Sequence, residues 1–278
     1  MFIDRELLIV TKHQKDKVIA PLFKKAFDLN SKLSLNFDTD TLGTFTGEIE
    51  RINDPLTTLR KKCLLAMDLE GFDLAVANEG SFGPHPQFYF APSDNELAIF
   101  IDRKNDIEII ANETSLNTNF GGRMVDSFSD LLNFASDSKF PSHALILRKD
   151  EDSKEDIFKG ITNHEHLKEA YDFLFASYGT VFAETDMRAM FNPTRMLLIE
   201  KVFEKLVKKI NCFCPKCNSI GFDIVVYKRG LPCSQCGFKT NSVLAHQYQC
   251  KKCKYNEEKL YPNGVFFEDP MYCDICNP

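Results

Sequence analysis

Eight of the ten cysteines stand as four Cys-x-x-Cys pairs in the last quarter of the chain: Cys214/Cys217, Cys233/Cys236, Cys250/Cys253 and Cys273/Cys276. Eight thiolates are the full ligand set for two tetrahedral zinc ions of the structural kind, in which four sulfurs close the site to water and substrate. Fifteen residues separate Cys217 from Cys233 and nineteen separate Cys253 from Cys273. Both spacings fall in the zinc-ribbon window of about 15 to 20 residues. This predicts two consecutive sites, Cys214/Cys217/Cys233/Cys236 and Cys250/Cys253/Cys273/Cys276; interleaved pairing would have to span 32 and 36 residues instead. Cys212 is a spare thiol beside the first pair, and Cys63, far upstream, reads as core.

Other polar groups collect where predicted strands end, the edge of an open α/β sheet at which ligands bind. Thr11-Lys12-His13-Gln14-Lys15 lies between a strand and a helix. It is either a solvated turn or a phosphate cradle made of Thr11, Lys12, Lys15 and the helix amides. Asp38 and Asp40, with Glu48 and Glu50 beyond them, form an acidic loop that could hold a magnesium ion through oxygen ligands. Glu79 follows an apolar run and opens Gly80-Ser81-Phe82-Gly83-Pro84-His85-Pro86, a rigid turn by composition. Glu79 is the candidate metal ligand or general base there; His85 reads as a turn histidine bonded to backbone. Asp186, Arg188 and Arg195 surround a helix start. The two arginines could clamp a phosphate or tether the cysteine tail by ion pairs.

The elements that must position these groups follow from periodicity. Glu6 to Val10 is an apolar strand, and Val18 to Phe27 recur at helical spacing. Leu33 to Phe37 alternates as a second strand. Asp54-Pro55 caps a helix running to about Leu69. Phe72 to Ala77, Leu97 to Ile101 and Ile107 to Ala111 are further strands, the last two placed as antiparallel neighbours. A strand over Ser142 to Leu147 and a helix over Glu165 to Ser177 follow, and Asn192-Pro193 caps a long amphipathic helix. The pattern is that of an α/β protein with a mixed sheet: an α/β body over 1–190, a connecting helix over 191–211 and a zinc-binding domain over 212–278.

Composition narrows the function classes. The net charge of −6 disfavours broad nucleic-acid binding. From Cys212 onward eight basic and six acidic side chains leave +2, and two zinc ions with four thiolates each bring this to about −2. No segment approaches the roughly 20 apolar residues of a membrane span, the N-terminal residues lack a signal-peptide pattern, and zinc thiolates need reducing conditions. A cytoplasmic location is the expectation.

Taken together, the Thr11 loop, Asp38-Thr39-Asp40, Leu42 to Arg51, Glu79 to Pro86, Asp186-Met187-Arg188-Ala189 and Asn192-Pro193-Thr194-Arg195-Met196 resemble an uncharacterised bacterial family known as a domain of unknown function. That family carries the same cysteine tail, closing like Cys273-Asp274-Ile275-Cys276-Asn277-Pro278. The opening strand, Thr11-x-x-x-Lys15 and helix are also similar to the inosine/xanthosine triphosphatase-like superfamily, in which a comparable turn and lysine hold a triphosphate. Arg60, Lys61 and Lys62 and then Leu74 to Glu79 stand in the order seen there, with Glu79-Gly80-Ser81 where that branch has Glu-Gly-Gly. This resemblance implies a magnesium-dependent nucleotide phosphohydrolase, with Lys12 and Lys15 on phosphates and Glu79, Asp38 or Asp40 on the metal. The alternative is a non-enzymatic adaptor whose zinc ribbons recognise nucleic acid or protein. In that case Phe222, Tyr227, Phe238, Tyr248, Tyr255, Phe266 and Phe267 either stack on a partner or build the small core of the tail.

Overall fold

The computed structural model describes residues 2–37 and 54–278; Asp38, Asp40 and the rest of the acidic loop lie outside the described residues. The chain divides into two compact units, Met1–Val207 and Lys208–Pro278.

The first unit holds two sheets. In the first, β1 (Glu6–Val10) is flanked by β2 (Asn30–Leu33) and β3 (Leu74–Pro84), both parallel to it, and β4 (Pro92–Asp102) and β5 (Ile107–Ser115) add antiparallel, giving the order β2-β1-β3-β4-β5. The helices α1 (Asp16–Phe27) and α2 (Pro55–Glu70) make the two crossovers. Asp54 caps α2 by accepting from the N–H groups of Leu56 and Thr57 at 3.1 Å, and Gly71 closes it at φ 74°. Strand alternation sorts the core. Leu8, Val10, Ala75, Ala77, Ile99 and Ile101 pack with Leu59, Cys63 and Met67 of α2. On the other face Phe100 meets Phe23 of α1, which meets Phe203 of α5 (Pro193–Ile210), at centroid distances of 6.4 Å.

The second sheet has the order β6-β9-β7-β8, all antiparallel: β6 (Gly122–Val125), β7 (Leu145–Arg148), β8 (Phe158–Ile161) and β9 (Val181–Thr185). Val125, Leu145, Leu147, Val181 and Ala183 form a core with α3 (Phe128–Asp137) and α4 (His164–Tyr178). The caps of α3 and α4 are Ser127 and Asn163.

Two expectations need correction. The second strand is Asn30–Leu33, not 33–37. It is an edge strand with mostly exposed residues, so its pairing to β1, not apolar alternation, defines it. Residues 79–84 are not a turn: β3 runs on to Pro84 because all eleven of its residues pair with β4. The turn starts one residue later, where His85 Nδ1 accepts from the N–H groups of Gln87 and Phe88 at 3.2 Å, the backbone role expected of this histidine.

The second unit contains one antiparallel sheet, β10 (Asp223–Arg229), β11 (Val243–Gln249) and β12 (Asn256–Leu260), in that order.

Candidate functional site

The eight paired cysteines converge as two sets of four, Cys214/Cys217/Cys250/Cys253 and Cys233/Cys236/Cys273/Cys276, each with its sulfurs within 4.8 Å of one another. The consecutive pairing expected from spacing is therefore wrong, and the sites are interleaved. Strand direction is the reason. Antiparallel pairing sets Asp223 opposite Gln249, so the pairs just before β10 and just after β11 meet at one end of the sheet. Leu260 lies opposite Ala245, which returns the fourth pair toward the end from which the second departs. The spare Cys212 joins neither set; its Sγ donates to the Lys208 carbonyl.

The donor geometry fits a metal. Sulfurs separated by 3.6 to 3.8 Å (Cys214–Cys253, Cys217–Cys250, Cys233–Cys276, Cys236–Cys273) match the edge, about 3.8 Å, of a tetrahedron with 2.3 Å metal–sulfur bonds. The knuckle backbone supports the thiolates: the Gln235 and Cys253 N–H groups point at Cys233 and Cys250 at 3.4 and 3.5 Å. Backbone donation, from Cys236 foremost, lowers the Cys233 thiol to about 7. Each set can hold one metal ion, and the unit is consistent with a pair of zinc ribbons. Phe222, Tyr248 and Tyr255 pack on the first set. Tyr227, Phe238, Phe266 and Phe267 are exposed, so the tail aromatics divide between core and surface.

A second constellation sits in the first sheet. β2 and β3 lie on opposite sides of β1, so the carboxyl end of β1, which lies beside the middle of β3, is a topological switch point, the usual ligand crevice of an open α/β sheet. After β1, Thr11, Lys12, His13, Gln14 and Lys17 line a cavity of about 750 Å³ with residues 33–37. His13 and Gln14 adopt φ of 64° and 59°, a left-handed backbone that costs energy for non-glycine residues and clusters at functional sites. Lys15 does not line that cavity. It is buried, and its Nζ donates to Asn78 Oδ1 at 3.1 Å.

From Asn78 a buried polar chain continues. Asn78 Nδ2 donates to Glu96 Oε2 at 2.6 Å, and Arg195 Nε donates to Glu96 Oε1 at 2.7 Å. The Arg195 guanidinium lies 5.0 Å from the Phe82 ring centroid and also donates to the Met187 carbonyl. Gly80 leaves room for this pair, since a Cβ there would collide with the Arg195 guanidinium and the Glu96 carboxylate and displace them. Asp94, two residues before Glu96 on the same strand face, is 1% exposed and its Oδ1 has no hydrogen-bond partner among the described residues. Burial, then Glu96, pushes its carboxyl up to about 7, against Arg195 and Lys15. Burial, then Arg195, brings the Lys15 ammonium down to about 7, with Lys62 adding and Glu96 and Glu79 opposing. Groups so perturbed mark functional sites.

Glu79 alternates to the opposite face of β3 from Asn78, where it pairs with Lys62 of α2. The two arginines of the fourth segment do not form one clamp. Arg188 is held by Asp186, with Nη2 to Oδ2 at 2.6 Å, whereas Arg195 serves Glu96. Sequence reasoning missed Asp94 and Glu96, and reached Lys62 and Asn78 only through the superfamily resemblance, without a role for either. The available signal was Asp94-x-Glu96, two acids sharing one face as they lead into an apolar strand.

Among the described residues no helix is long and apolar enough to cross a membrane. Residues 62–278 match the family described as domain of unknown function DUF6671. That is well over half of the chain, which therefore belongs to this family. No curated protein and no solved structure matches.

Proposed function

We propose that the first unit is an enzyme acting on a phosphorylated small ligand, of the nucleotide phosphohydrolase class, and that the second carries two structural zinc ions. The observation that carries the enzymatic reading is the switch point itself, where Lys12 and the α1 start line the cavity at the carboxyl end of β1 and Lys15 reaches Asn78 in the middle of β3. Lys12 and Thr11 would meet the phosphates. Lys15 and Asp94, each brought to about 7, would supply groups able to exchange protons near neutrality. Among the described residues the groups of three or more metal-ligating side chains are the two cysteine sets. The reading accordingly rests on cationic and acid–base groups, and magnesium dependence is its separate, testable part. The zinc-loaded protein should be incubated with nucleoside triphosphates with and without magnesium, following phosphate release and melting temperature. Turnover that falls on Lys12→Ala supports the reading. No turnover and no ligand-dependent rise in melting temperature would overturn it.

A second reading is favoured by Tyr227, Phe266 and Phe267, which are 59 to 61% exposed in the cysteine-rich unit: that unit docks a partner protein. Binding should then survive Lys12→Ala and Glu79→Gln and fall on Phe266→Ala.

A further inference from the structure

The second sheet has α3 and α4 packed on one face. Its other face presents Gly122 of β6, Phe182 and Glu184 of β9, and Ile146 and Arg148 of β7, because the register sets Gly122 and Ile146 opposite Glu184 and Arg148 opposite Phe182. A cavity of about 310 Å³ lies over this face, with Phe120 and Met187 in its wall. This is the lower end of the size range of small-molecule sites, which combine apolar walls with a few fixed polar groups. Gly122 keeps the floor low: a Cβ there would stand 2.8 Å from the Phe182 ring.

The polar groups define the ligand. Arg148 is 7% exposed; it donates to the Ser153 carbonyl and pairs with Glu184, yet its Nε has no partner among the described residues. The protein therefore leaves the hydrogen-bonding capacity of this guanidinium unsaturated. Glu184 is the complementary group. Its carboxyl is pushed up by burial, against the pull of Arg148 and with Asp186 and Glu151 adding to the rise. Arg148 and Glu184 neutralise each other, so a full anion would meet the Glu184 and Glu151 carboxylates and a full cation would meet the guanidinium. We infer that this cavity is a second small-molecule site, taking a planar, uncharged ligand with a carbonyl acceptor beside an N–H donor, the edge of a lactam or amide. The carbonyl accepts from Arg148, the N–H donates to Glu184, and the ring lies against Phe182 and Phe120. None of these groups belongs to the switch-point constellation, and the inference stands without the phosphohydrolase reading.

Ligand-observed NMR on the full metal-loaded chain tests it, with 2-pyridone as probe and benzoate and benzylamine as charged counterparts. The expected result is saturable 2-pyridone binding at about 1 mM or tighter, with neither charged compound competing. Losing the charged acceptor in Glu184→Gln should weaken binding roughly tenfold or more, while Glu151→Gln changes it less than twofold. Should Glu184→Gln fail to fold, Glu184→Asp, which retracts the carboxylate, should give the same loss. Absence of 2-pyridone binding, equal binding by the Glu184 variants, or displacement by benzylamine or benzoate would each overturn the assignment.

Discussion

The two units solve the same problem with different means. The first buries large apolar side chains in layers, with Phe23, Phe100 and Phe203 fully enclosed. In the second, beyond four metal-ligand cysteines, the buried apolar residues are Ile210, Phe222, Leu231 and Ala245. A core that small cannot offset the chain entropy of about seventy residues. Coordination by the two cysteine sets would replace burial, and interleaving adds a further consequence: each set is shared by the two ends of a β-hairpin, so neither can assemble without the sheet. Where burial holds the fold, stability is spread over many contacts; where coordination holds it, stability is concentrated in two points.

Metal removal should break this comparison most sharply. Structural zinc contributes about 10 to 16 kcal/mol in comparable peptides. A strong chelator should therefore unfold Lys208–Pro278 while leaving the body folded, as read by proteolysis and by amide signals of each unit; intact metal-unit signals after the metal is gone would refute it. The pairing comes next. Cys250→Ser with Cys253→Ser should expose Cys214 and Cys217 to alkylation and leave Cys273 and Cys276 protected, whereas consecutive sites would give the reverse pattern by mass spectrometry.

In the body, Phe100→Ala should cost about 3 to 5 kcal/mol in urea unfolding without changing metal content. Gly80→Ala should cost about 1 to 3 kcal/mol by forcing Arg195 and Glu96 apart. The buried network adds a pH dependence. Asp94, raised to about 7, holds a proton in the folded state that the unfolded chain releases near its ordinary value of about 3.9. Its contribution is therefore present at low pH and is lost as pH rises from about 4 to about 7. Lys15, lowered to about 7, works in the other direction: its buried charge opposes folding below about 7, and that penalty fades as pH rises toward the ordinary lysine value of about 10.4. Together with Glu96 and Arg195, which face both groups, these two place a minimum near neutrality. Asp94→Asn should flatten the acid side of a plot of urea midpoint against pH, and an unchanged profile would show that Asp94 does not titrate there.

Legibility in the sequence followed locality. The caps Asp54-Pro55 and Asn192-Pro193 announced α2 and α5, because a cap satisfies its own helix within three residues. The apolar runs of β1 and β3 stood out because both faces of those strands are buried. The stretch from Gly122 to Asp137, β6 and α3, went unread: β6 is short and mostly exposed, and only its pairing with β9 makes it a strand. The end of β3 was hidden by Gly80, Gly83 and Pro84, residues that suggest a turn unless a partner strand is known to run beside them.

By itself the sequence determined the metal-ligand chemistry, the boundaries of the capped helices and the apolar strands, since these depend on residue type and near neighbours. Tertiary structure alone decided which cysteines share an ion and which charges share the interior. Lys15 and Asn78 are 63 positions apart, and Arg195 and Glu96 are 99 apart. Contacts of that range depend on strand order and direction, which no local preference encodes.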